Sequence, residues 1–122
     1  MEERGKMLIE KIRRERDFVP RSREILARDD PDYLELYHNS WMHVMHKRNV
    51  LPLKFKELII VAVDAVTGYE RGVKLHIESA LKAGATKEEI LEALEAAAFP
   101  GGIHVLSISL PILDDVLKAL AR

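Results

Sequence analysis

Four side chains in one stretch could do chemistry together: Glu57, Tyr69, Gly72 (for the space it leaves) and His76. An imidazole titrates near neutral pH and can both give and accept a proton. Glu57 falls near the start of an apolar helix, where a carboxylate is costly unless it is paired or hydrogen-bonded. Its plain alternative is a first-turn acid favoured by the helix dipole. Helical spacing puts Tyr69, Gly72, Val73 and His76 on one face. A lone helical histidine is more often a core or interface hydrogen-bonder, so His76 needs support from its neighbours.

Other residues nearby widen the set. Asp64 follows Glu57 by seven residues, on nearly the same helix face. A second carboxylate there would raise a neighbour's pKa; otherwise it is a buried acid paired with Arg71, Lys74 or another lysine. Glycine inside a helix costs about 1 kcal/mol relative to alanine, so Gly72 serves either an open space or close helix packing. The Tyr69 phenol can orient or protonate an oxygen, or simply pack. Arg71 can face a carboxylated ligand or form a surface ion pair. His38, His43 and His46 share a helix with Trp41, Met42 and Met45. No nearby residue completes three ligands, so they are expected to line a pocket or subunit contact rather than bind metal.

The order of these residues resembles the signature of the carboxymuconolactone decarboxylase and alkyl hydroperoxidase D superfamily: Glu, eleven residues, Cys, two residues, Cys, three residues, His. Glu57 and His76 stand at the matching spacing, with Tyr69 and Gly72 in place of the two cysteines. The stretch Leu51 to Glu57, the run from Ile77 through Gly84-Ala85-Thr86 to Leu94, and Ala97 to Gly102 are similar to further family segments. The resemblance covers roughly residues 35 to 120. It implies a proton-relay role for Glu57, proton handling by His76, and a trimer or hexamer with sites near subunit contacts. It also implies that His104 approaches the site; on the open-space reading of Gly72, a small ligand enters where the second sulfur would lie.

Composition sets limits on the chemistry. The chain has 122 residues, 48% of them hydrophobic, 32% charged and 6% aromatic, which reads as one helical domain with a real core. A net charge of -1 and a pI near 6.5 argue against a nucleic-acid partner. Residues 1 to 28 are basic, with nine Lys or Arg against six acids, and read as a solvated helix face. No cysteine is present, so disulfides, thiolate metal sites and thiol peroxidase chemistry are excluded. With no apolar leader and no unbroken apolar run of spanning length, a cytoplasmic protein without membrane partners is expected.

Helices are expected throughout: Glu2 to about Asp17, Arg21 to Arg28, one opened by Asp29-Asp30-Pro31 and running to about Arg48, and 54 to 67 ended by Gly68. After these come Tyr69 to Ala83, a helix to Ala98 opened by a Thr86/Glu89 capping box, and Ile103 to about Ala121. Tyr33, Leu34, Tyr37, Trp41, Val44 and Met45 read as the apolar stripe of the third. The fourth, apolar around most of its circumference, should be central and buried. Pro100-Gly101-Gly102 should break the chain, and Pro111 should kink or divide the last helix. The fold expected is an all-α, single-domain bundle of six to seven helices, oligomeric, with residues 1 to 28 as an N-terminal extension to a core at 35 to 120. Segments 58 to 66, 90 to 99 and 103 to 113 are too apolar for a small monomer's surface.

Two functions fit. One is a cofactor-independent lyase or isomerase resembling carboxymuconolactone decarboxylase, acting on a small carboxylated or lactone substrate. His76, Glu57 and Tyr69 would be catalytic; Gly72, Arg71, His104 and Asp64 would bind substrate. The other is a non-catalytic oligomeric small-molecule binder or scaffold of the same fold.

Overall fold

The computed structural model describes residues 1–16 and 18–122. Among them there are seven α-helices and no strand. The chain divides into two compact units, Met1–Arg48 and Asn49–Arg122.

In the first unit, α1 spans Glu3–Glu15, α2 Arg21–Asp29 and α3 Pro31–Met42. The expected end of α1 at Asp17 lies outside the described residues. Asp30 caps α3 by accepting from the Tyr33 N–H at 3.2 Å, and Pro31 fills the first helical position. Past Met42 the helix loosens into one π-helical turn, His43–Lys47, closed by the Arg48 N–H on the His43 carbonyl at 3.1 Å. The core is Leu8, Ile9, Ile12, Ala27 and Leu34, with Val19 and Leu26 packed against it. The expected stripe on α3 divides: Leu34 and Met45 are buried, whereas Tyr33, Tyr37 and Val44 are exposed.

In the second unit, α4 spans Leu53–Thr67, α5 Glu70–Lys82, α6 Lys87–Gly101 and α7 His104–Leu120. Gly68 ends α4 in the left-handed region, φ 76°. The Tyr69 N–H reaches the Asp64 carbonyl and the Gly68 N–H the Ala65 carbonyl, which satisfies the last turn. This two-residue link makes α4 and α5 antiparallel neighbours. Thr86 and Glu89 form both halves of the capping box, and Glu89 also pairs with Lys54 at 2.9 Å, tying α6 to the start of α4. Leu58, Val61, Ala65, Val73, Ile77, Ile90, Leu94, Val105 and Leu113 build the core across all four helices.

Three expectations for these helices need correction. The chain breaks at Gly102, within the expected Pro100-Gly101-Gly102 run, but α6 continues past its expected end at Ala98 to Gly101. So near the helix end the proline removes only the bond to the Ala96 carbonyl, and the chain turns one residue later at Gly102, φ 96°. Pro111 does not divide α7; it lies on an exposed face, where water can serve the carbonyl it leaves unmatched. Nor is α4 buried all round. Leu58, Val61 and Ala65 are buried, but Phe55, Ile59, Val63 and Val66 form an exposed apolar stripe, Ile59 and Val63 at 52% and 54%. No helix among the described residues is long and apolar enough to cross a membrane.

Candidate functional site

The α4–α5 hairpin positions the candidate residues. Counting outward from Gly68, Glu57 lies eleven residues back on α4 and His76 eight residues on along α5. Antiparallel packing brings them level. His76 Nδ1 and Glu57 Oε2 are 2.8 Å apart, and both side chains are buried, at 11% and 7% exposure. A carboxylate on Nδ1 favours the tautomer with that proton in place. The cost of withdrawing either group from water is met by the other.

Asp64 lies two turns further along α4, half-buried. Its carboxyl is held above the ordinary range, chiefly by burial and also by the charge of Glu57, while the charge of His76 pulls it down. It makes no ion pair with Arg71 or Lys74; those two line a groove of about 860 Å³ between α5 and α7, with Glu78, Ile108, Ile112 and Asp115. The groove does not include Glu57 or His76. The space beside Gly72 is filled from within the chain. A Cβ on Gly72 would overlap Asp64 Oδ2 and the Tyr69 ring carbons Cδ2 and Cε2. Tyr69 is the residue capping α5 rather than part of its face, and its ring is half exposed. His104, at the start of α7, is exposed and directs Nε2 toward the Val66 carbonyl at 3.4 Å.

The structure therefore groups Glu57, His76, Asp64, Gly72 and Tyr69 along one hairpin. It turns Arg71 to a separate groove and sets His104 at the C-terminal end of α4. Lys56, beside Glu57, is buried as well, which its sequence position did not suggest.

The first unit holds a second imidazole–carboxylate pair that no spacing had indicated. His38 Nε2 meets Glu15 Oε1 at 3.0 Å, linking α3 to α1. Trp41 stacks on His38, centroids 6.0 Å apart and planes 20° apart, and takes His46 on its edge at 5.0 Å. The Arg16 guanidinium lies 4.2 Å from the Trp41 ring centroid and 5.1 Å from that of Phe18. The three histidines of this region thus diverge: His38 to Glu15, His46 to Trp41, and His43 exposed. Among the described residues, no three His, Asp or Glu side chains are placed to hold a metal ion.

A family model described as the carboxymuconolactone decarboxylase family matches residues 31–115. No curated protein sequence matches. Among solved structures, the chain is similar to one from Burkholderia xenovorans LB400 provisionally described as a carboxymuconolactone decarboxylase. The TM-score is 0.81 with 22% sequence identity, and the match covers 96% of each chain, a likeness that establishes the fold.

Proposed function

The chain belongs to the carboxymuconolactone decarboxylase family, and from that premise we propose a cysteine-free lyase or isomerase that moves protons on a small carboxylated or lactone substrate without a cofactor. The observation that carries this reading is the buried 2.8 Å contact between His76 Nδ1 and Glu57 Oε2. In a decarboxylation the C–C bond to the carboxylate breaks and carbon dioxide leaves. The electron pair passes into a conjugated carbonyl, and a proton delivered to carbon completes the product. His76 Nε2 is the proton donor in this account, Glu57 holds the ring and balances its charge, and the half-exposed Tyr69 phenol steadies the substrate oxygen. A thiol peroxidase has no support, because a peroxidatic step needs a thiolate and the chain has no cysteine.

The exposed stripe of Phe55, Ile59, Val63 and Val66, with Phe99 at 89% and Ile103 at 74% exposure, supports a homo-oligomer that covers it. That stripe also favours a second reading, a non-catalytic assembly subunit. The test is to incubate the pure protein with a panel of small unsaturated lactones, with and without carboxylate substituents, and follow carbon dioxide release and isomerisation. Turnover lost in His76→Ala supports the lyase. A protein that stays inert across the panel yet assembles into a defined oligomer favours the second reading.

A further inference from the structure

Gly72 is the one residue of α5 that helix propensity does not explain. Its backbone is not in the left-handed region, unlike Gly68, Gly84 and Gly102, so conformation does not demand glycine there. Space demands it. A side chain of even one carbon would overlap the Asp64 carboxyl and the Tyr69 ring. Asp64 comes seven residues after Glu57 on α4, and Gly72 comes four before His76 on the antiparallel α5. The hairpin therefore carries two stacked cross-helix pairings on one seam: Glu57 with His76, and Asp64 with Gly72.

We propose that Asp64 is a further proton-holding residue of this site, seated in the notch that Gly72 leaves and sharing the α4–α5 seam with His76 and Glu57. For its chemistry this rests on the acid–base reading above; the seating and the coupling stand without it. A carboxyl drawn partly out of water keeps its proton more firmly, and Asp64 shows that direction, with burial as the leading cause. The groups that act on it by charge are Glu57 on its own helix, which reinforces the effect, and His76 from α5, which opposes it. Tyr69 contributes a phenol at the same notch. Two residues further along α4, α7 brings His104 to the Val66 carbonyl and Gly101 at the end of α6 lies against the Val66 side chain.

The opposition between Asp64 and His76 has a chemical use. Positive charge on the imidazole favours release of the Asp64 proton, and the Glu57 carboxylate disfavours it. Once His76 has given its proton to the substrate carbon, the proton stored on Asp64 replaces it through water: the Asp64 O–H bond breaks and the imidazole N–H bond re-forms. Solvent then returns a proton to the carboxylate.

The test is a titration of the full chain with ¹³C-labelled aspartate carboxyls, read by NMR in the wild type, His76→Ala, Glu57→Gln and Gly72→Ala. Asp64 is expected to titrate above ordinary aspartates, higher again in His76→Ala and lower in Glu57→Gln. Gly72→Ala should expel the carboxyl and return it to ordinary behaviour. Should Gly72→Ala fail to fold, the other two variants decide. An Asp64 that titrates like a surface aspartate and ignores both substitutions overturns the proposal. Lactone turnover with an uncoupled Asp64 would refute this inference and keep the function; coupling without turnover on any lactone would do the reverse.

Discussion

Among the described residues two imidazole–carboxylate pairs form, one in each unit, and their surroundings separate them. Glu57–His76 joins consecutive antiparallel helices, both partners are buried, and a third titratable group, Asp64, lies along the same seam. Glu15–His38 joins α1 to α3 across a gap of 23 residues; its carboxylate is 28% exposed, and its imidazole is stacked on Trp41, which Arg16 covers. α1 and α3 are tied again by the Arg4 ion pair with Asp32. On the proposed reading, the same two functional groups serve a proton-handling site in one place and a helix tie in the other. What distinguishes them is burial and the company of a third carboxyl group, not the contact itself.

The comparison can be broken most sharply at Glu57. Glu57→Ala takes the carboxylate from a buried imidazole, and removing one member of a buried pair costs about 3–5 kcal/mol. A large fall in melting temperature is expected, and a negligible one would mean the pair is not buried in solution. Glu15→Ala should cost less, about 1 kcal/mol, because the carboxylate is partly solvated and Trp41 still packs on His38. A loss equal to that at Glu57 would erase the distinction between the pairs.

Asp64→Asn sharpens the comparison through pH. The folded-state pKa of Asp64 is raised above the ordinary value of 3.8, so the folded chain holds this proton more tightly than the unfolded chain. The resulting penalty is absent in acid, develops as pH rises from the ordinary value through the folded one, and persists at neutral pH. Asp64→Asn should therefore be more stable than the wild type at neutral pH, with the gain vanishing on acidification. Denaturant melts at the two pH values check the sign, and a gain that grows in acid would contradict it.

Much of this was legible from residues that act locally. Gly68 as a left-handed stop, the Thr86–Glu89 box and the Asp30–Pro31 start each depend on a few neighbours, and each forms as read. Glu57 and His76 were legible because a short hairpin converts sequence spacing directly into proximity. The failures were non-local. Whether α4 is covered on its Ile59–Val63 face depends on what packs there, which apolar content alone does not tell. The purpose of Gly72 depended on where Asp64 and Tyr69 place their ends. Glu15 looked like one more charge on a solvated helix, since nothing in a 23-residue separation signals His38.

The most direct measurement compares His76→Ala with His38→Ala in one turnover assay, on whichever lactone the wild type converts, with folding of both confirmed by circular dichroism. Loss of a positioned general acid should lower the rate about 100-fold or more for His76→Ala, and His38→Ala should stay close to wild type. Equal losses in the two variants, or an undiminished His76→Ala, would contradict the assignment of proton chemistry to the α4–α5 hairpin.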